Sequence, residues 1–304
     1  MPDAGSPSNP VRFSVALKEG DLAGWRWENS DAPALLFCHA TGFCASAYKQ
    51  MLRHLSNEFD IYALDMRGHG GASLPADPGR LRSWRVYASD VVAFLETQPK
   101  QKWVLAGHSM GAIAAALAAK RRSDITALAL IEPVVIPPLV ALAARAPFWR
   151  FIGRRSPMAR RAAQRRSQWP GQAEVMKSYA GKAVFSNWAD GVLADYLEDG
   201  LRGEAAGDGV TLACHPDWEA ATFTALDTKF SSAVRGHAVP VSVFAGRLDN
   251  TTVLKSARRR CLRWGVSLTE SASLSHLAPM EDPAECADFI RGAGQISVIS
   301  RKPG

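Results

Sequence analysis

Hydrophobic positions in the first half of the chain fall into short runs that alternate with amphipathic stretches. Val11–Leu17 and Leu22–Glu28 read as an opening pair of strands. Ala34–Cys38, Ile61–Leu64, Trp103–Ala106 and Ala127–Ile131 are apolar at consecutive positions, the pattern of strands buried on both faces of a parallel sheet. Helical periodicity fills the gaps at Ser46–Leu55, Ser83–Thr97 and Met110–Arg121. The alternation stops after Ile131. From 133 to 235 the pattern is helical and irregular, with no good strand. It resumes with Val241–Ala245, a helix near Thr252–Arg263, Val266–Thr269 and a last helix over Pro283–Arg291, leaving 292–304 as a loose tail. Strand followed by helix, repeated, predicts an α/β protein with right-handed crossovers and a doubly wound, mostly parallel eight-stranded sheet. Its core is expected at 1–132 and 236–304, interrupted by a helical cap insertion at 133–235.

Composition narrows the class. The first ten residues lack the basic start and apolar run of a signal peptide. The longest apolar stretch, Ala127 to Trp149, contains Glu132, Pro133, Pro137 and Pro138, so no membrane span is expected. Five widely spaced cysteines without a CxxC pair argue against a disulfide framework and a zinc site, and fit a cytoplasmic protein. The net charge of +7 is local: Arg145 to Arg166 holds eight arginines and no acid, and the rest of the chain is close to neutral. That stretch is a solvated helix face or a contact for an anionic lipid surface or an acidic substrate. No recognised motif accompanies it, so nucleic acid is not expected as a partner.

The sharpest motif runs from Trp103 through Gly107-His108-Ser109-Met110-Gly111: a strand, G-x-S-x-G, then an Ala-rich helix. A nucleophile on so tight a strand-to-helix turn needs small residues two before and two after it, because strand and helix nearly collide there. The turn lifts the Ser109 hydroxyl above the sheet and aims the first helical N–H groups at a developing oxyanion.

With its flanking loops, this motif resembles the α/β-hydrolase superfamily in its capped serine-hydrolase form, and the likeness covers nearly all of the chain outside the cap. The family's H-G-x loop appears as His39-Ala40-Thr41-Gly42-Phe43. Its D-x-R-G-x-G loop appears as Asp65-Met66-Arg67-Gly68-His69-Gly70, with Ala72 where a Ser usually follows. The resemblance implies the order nucleophile, acid, histidine. His276, in Ser275-His276-Leu-Ala-Pro-Met-Glu281-Asp-Pro283, stands at the family's base position. Asp249, in Gly246-Arg-Leu-Asp249, stands at its usual acid position. Glu132, ending the strand before the insertion, is the alternative acid and otherwise lines the site. The oxyanion hole would use the backbone N–H of Met110 and a second donor from the 39–43 loop, Thr41 or else Phe43. His39 is more plausible as a brace of that loop than as a base.

Serine in place of aspartate as nucleophile turns the expectation from dehalogenase or epoxide chemistry to acyl transfer. The cap aromatics, Trp149 and Trp188 among them, imply a mostly apolar pocket closed over the strand ends. His39, His108, Glu132, Trp149 and Trp188 are therefore candidate substrate contacts. The expected activity is hydrolysis of small apolar carboxylic esters, in the manner of an esterase or lipase, without metal or organic cofactor. Carbon–carbon hydrolysis of diketones, thioesterase or acyltransferase action, and a small-molecule receptor on the same fold are the alternatives. Fold alone does not choose among them.

Overall fold

Eight strands form a single sheet in the order β1-β2-β4-β3-β5-β6-β10-β11 in the computed structural model. The structure describes residues 9–136, 138–143, 146, 152–203, 209–225 and 233–299. The strands are β1 (Val11–Leu17), β2 (Gly20–Trp27), β3 (Ala34–Cys38), β4 (Asp60–Asp65), β5 (Trp103–His108), β6 (Ile125–Ile131), β10 (Val241–Ala245) and β11 (Ser267–Glu270). Only β1–β2 and β2–β4 pair antiparallel; every other neighbour is parallel. The predicted doubly wound sheet is therefore present.

The unbroken apolar runs have a simple cause. Every residue of β3, β4 and β5 is buried. Because successive side chains point to opposite faces, each strand feeds two cores. Leu36, Cys38, Trp103 and Leu105 pack toward α2 (Arg85–Thr97) and α3 (Met110–Ala119). Leu35, Phe37, Val104 and Ala106 pack toward α1 (Lys49–Arg53), which a 3-10 turn at Ala45–Tyr48 precedes, and toward the C-terminal helix.

Two expectations about the ends of this pattern fail. The segment between β6 and β10 is mostly helical: α4 (Pro138–Ala143), α5 (Pro157–Ala163), α6 (Gln172–Ala180), α7 (Val192–Gly200) and α8 (Pro216–Thr224). It also contains a three-stranded antiparallel sheet of β7 (Gln168–Trp169), β8 (Leu201–Gly203) and β9 (Val210–Leu212), in the order β7-β9-β8. Strands of two or three residues are too short to leave a period of two in the sequence, so the hydrophobic pattern predicts none of them. After α9 (Lys255–Arg263) and the short α10 (Ala278–Glu281), the last helix, α11, spans Pro283–Ile299 rather than stopping at Arg291. Ala293 is buried, and Gly294 packs so closely on Phe59 that a Cβ there would lie 2.9 Å from its ring. Packing thus extends a helix that two glycines weaken by intrinsic propensity. No helix of the described residues is long and apolar enough to cross a membrane.

Candidate active site

Ser109 occupies the turn between β5 and α3 with φ 56° and ψ −115°, a conformation that L-residues rarely adopt. Both flanking glycines are required by contact. A Cβ on Gly107 would meet the Gly111 carbonyl at 2.6 Å, and a Cβ on Gly111 would lie 2.2 Å from the Cys38 carbonyl oxygen. The turn is held by the Ser109 N–H donating to Ile131 at 3.0 Å.

His276 follows β11 on a loop pinned by Glu281, whose carboxylate accepts the Ser275 N–H at 2.6 Å and also the Ser275 hydroxyl. The ring places Nε2 3.1 Å from Ser109 Oγ and Nδ1 3.0 Å from Glu132 Oε2. The two nitrogens therefore have distinct tasks: Nδ1–H donates to the carboxylate, and Nε2 keeps its lone pair toward the serine.

The carboxylate that the structure brings to His276 is Glu132, and Asp249, the expected acid, stands apart from the ring. The Asp249 side chain is 76% exposed and pairs with Arg247 at 3.0 Å. Glu132 is fully buried at the end of β6, at φ 44°. A buried carboxylate is costly unless several donors satisfy it. Here the Gly246 N–H and Thr251 hydroxyl donate to Oε1, the Thr252 N–H donates to Oε2 at 2.8 Å, and the Thr252 hydroxyl lies 3.0 Å from Oε2. Burial pushes the Glu132 carboxyl up, but the hydrogen bond and charge of His276, with Thr251 and Gly246, outweigh it and hold it at about 2. Sequence reasoning does not single out Thr251 and Thr252. Two adjacent hydroxyls after the β10 loop, with a glutamate ending an apolar strand, are the available signal.

Hydrogen bonds within the 39–43 loop also separate the oxyanion candidates. The Phe43 N–H donates to the Ala40 carbonyl at 3.2 Å, and the Gly42 N–H donates to His69 Nε2 at 3.0 Å. Among the described residues, the N–H groups of Thr41 and Met110 have no protein acceptor. Phe43 is instead a wall of the pocket, 5.9 Å from the ring of Trp188.

Three expected substrate contacts lie behind the site rather than in the pocket. His39 is buried, its Nδ1–H donating to Ala40 and its Nε2 accepting from the Met66 N–H at 2.9 Å, so it braces the loop. Burial, with His69 nearby, pulls it well below the usual imidazole range. His108 is also fully buried; burial and the neighbouring His276 lower it to about 3. The Ala40 N–H donates to the Tyr48 hydroxyl at 3.1 Å, the Tyr48 O–H donates to His108 Nδ1 at 2.8 Å, and His108 Nε2–H donates to the His276 carbonyl at 2.8 Å. This chain links the 39–43 loop to the backbone of the histidine loop. Glu132, the third, is the partner of His276. Of the remaining two, Trp188 lines the pocket and Trp149 lies outside the described residues.

The pocket measures about 610 Å³ and opens on Ser109 and His276. Its walls are mostly apolar: Thr41, Phe43, Trp84, Val135, Phe185 and Trp188 are among them, together with Arg165, Lys182 and Glu219. The segment between β6 and β10 is fastened over it by the Ala189 N–H, which donates to Met280 at 2.7 Å.

A profile of the alpha/beta hydrolase family matches residues 35–289. The chain is 29% identical over 98 residues to 2-(acetamidomethylene)succinate hydrolase of Mesorhizobium japonicum, covering 32% of this chain and 34% of that one. It is 30% identical over 84 residues to 3-oxoadipate enol-lactonase 2 of Acinetobacter baylyi, covering 28% and 30%. These alignments span about a third of the length of the curated relatives they match. The crystal structure of E-2-(acetamidomethylene)succinate hydrolase superposes with a TM-score of 0.75 at 19% identity, over 94% of this chain and 100% of that one, a likeness of fold.

Proposed function

Because the chain belongs to the alpha/beta hydrolase family, we propose that it is a serine hydrolase that cleaves carboxylic esters with an apolar acyl or alcohol part through an acyl-enzyme. The observation that carries this reading is the Ser109–His276–Glu132 alignment, with contacts of 3.1 and 3.0 Å. A serine hydroxyl attacks a carbonyl only when a base takes its proton in the same step. His276 Nε2 receives that proton, and Glu132 stabilises the imidazolium while fixing the tautomer. The N–H groups of Met110 and Thr41 receive the carbonyl oxygen as it becomes an oxyanion. His276 then returns the proton to the departing alcohol oxygen. Water, deprotonated by the same nitrogen, attacks the acyl-enzyme and frees the acid and Ser109.

The apolar pocket beneath the cap segment supports an apolar group next to the ester. Cleavage of an enol-lactone, the reaction named for the Acinetobacter relative, opens a cyclic ester, the same bond class. The five buried, unpaired cysteines support a cytoplasmic location. The test is hydrolysis of p-nitrophenyl esters from acetyl to palmitoyl by the wild type and Ser109→Ala. Turnover that falls at least about 10⁴-fold in the variant is expected. A folded wild type that cleaves none of the series, or a variant that keeps its activity, overturns the reading.

A further inference from the structure

The pocket that opens on Ser109 is apolar over most of its wall, yet it carries two cations against one anion. Arg165, on the segment after α5, is anchored on three sides. Its Nη1–H donates to Glu219 Oε2 at 2.6 Å, and its Nη2–H groups donate to the hydroxyls of Tyr179 at 3.0 Å and Tyr196 at 3.3 Å. The cluster rests on the oxyanion loop. The Tyr196 hydroxyl donates to the Gly42 carbonyl at 3.1 Å, and a Cβ on Gly42 would lie 2.7 Å from Glu219 Oε1 and 3.5 Å from Arg165 Nη1. Glu219 is thus spent on holding Arg165 beside the loop that supplies the Thr41 N–H.

Lys182 is different. It lies just beyond α6 with Nζ 4.4 Å from the centroid of the Tyr179 ring, whose hydroxyl Arg165 grips. No carboxylate among the described residues lies within 4.0 Å of its ammonium. Partial desolvation and the positive charge of Arg165 pull that ammonium down from its usual range. Lys182 is exposed to solvent on the pocket wall, and its ammonium, with Arg165 as a neighbouring cation, carries a charge that no carboxylate of the described residues offsets.

We propose that Lys182, backed by Arg165, is an anion subsite, and that the substrate carries a carboxylate separated by an apolar spacer from the ester that Ser109 attacks. This rests on the ester-hydrolase reading for the attacked bond, but the subsite is a matter of binding and can be tested without turnover. A carboxylate on Lys182 makes a charge-assisted contact at the pocket wall and brings the net charge of the wall to zero. The apolar walls take the spacer, and the fixed Arg165–Glu219 pair keeps the oxyanion loop in place as the ligand enters.

The experiment uses Ser109→Ala, which retains intact esters, and measures calorimetric binding of monomethyl adipate against dimethyl adipate, and of the suberate pair. The half-ester is expected to bind about tenfold or more tightly than the diester. That preference is expected to vanish in Ser109→Ala/Lys182→Met and to return with Lys182→Arg. Lys182 is the residue to vary, because it makes no contact on which the fold depends, whereas Arg165 ties three groups together. In parallel, the wild type is assayed with mono-p-nitrophenyl adipate and p-nitrophenyl hexanoate. If the neutral ester is cleaved in a Ser109-dependent way but the half-ester binds no better than the diester, the subsite is wrong and the hydrolase reading stands. If no ester is cleaved but the Lys182-dependent preference remains, the subsite stands and the hydrolase reading falls. Equal binding of both members of each pair, or a preference that survives Lys182→Met, overturns the proposal.

Discussion

Replacing Glu132 by Gln should cost far more activity than replacing Asp249 by Asn, the opposite of what the family's usual acid position implies. The size of the effect follows from the donors around Glu132. Its two oxygens face the N–H groups of Gly246 and Thr252, the hydroxyls of Thr251 and Thr252, and His276 Nδ1. An amide offers one acceptor oxygen. If the glutamine turns its NH₂ toward Gly246, two N–H groups collide. If it turns its NH₂ toward Thr252 and His276, Nδ1 must accept, the ring proton moves to Nε2, and no lone pair faces Ser109. The second arrangement is a wrong-tautomer enzyme, for which a loss in kcat of about 10⁴ is the reference, or about 5.5 kcal/mol of barrier. Asp249 is exposed and meets only Arg247, so Asp249→Asn should leave kcat within about twofold. The assay is steady-state turnover of a short p-nitrophenyl ester by wild type, Glu132→Gln and Asp249→Asn. A second readout comes from linkage. Holding the carboxyl at about 2 against its usual 4.5 is worth about 3 kcal/mol of stability at neutral pH. The folded value is the lower one, so this stability is present above pH 4.5 and is lost as pH falls toward 2. Glu132→Gln should lack that part of the acid limb in urea melts taken across the same range. Loss of turnover in Asp249→Asn with Glu132→Gln near wild type would refute the assignment.

Two other perturbations probe the surroundings of the site. Tyr48→Phe breaks the chain from the Ala40 N–H through His108 to the His276 carbonyl. It should lower kcat about tenfold with KM nearly unchanged, since both ends position reacting groups rather than bind substrate, at a cost of about 1–3 kcal/mol for the unpaired buried partners; unchanged kcat would show that the loops hold themselves. The arginine-rich segment after β6 bears the exposed side chains of Leu139, Leu142 and Met158 and, along the same stretch of sequence, exposed Arg154, Arg160 and Arg161. An apolar and cationic surface of this kind should bind phosphatidylglycerol vesicles in sedimentation more than phosphatidylcholine vesicles, and less after Leu142→Asp with Arg161→Glu; equal sedimentation with both lipids would leave the arginines as a solvated face.

How much of this is legible in the sequence depends on how local each determinant is. Central strands such as β3 and β5 can be read because burial on both faces writes an unbroken apolar run, and Gly107 and Gly111 can be read because a collision at 2.2–2.6 Å tolerates no other residue. The short strands β7, β8 and β9 cannot, since they are set by pairing between residues 168 and 211 and between 201 and 212. The acid lies between these cases. The strands β6 and β10 are neighbours in the sheet, with Ile131 opposite Phe244. A carboxylate just beyond either one can therefore reach the same imidazole, and the sequence offers both. The choice is made by where the donors point, and they converge on Glu132: the Glu132 N–H is itself fixed to Phe244, and Thr251 and Thr252 close over its side chain. Those hydroxyls stand two and three residues after Asp249, in the loop that carries the acid at the family's usual position. Here the loop keeps its place beside His276 but supplies donors to a carboxylate on the adjacent strand. A glutamate buried at the end of an apolar strand is stable as an anion only where such donors converge on it. Asp249 makes no comparable demand, because an exposed carboxylate is satisfied by water and Arg247. The cost of burial, weighed against the motif's usual position, therefore favours the proposal that Glu132 serves as the acid.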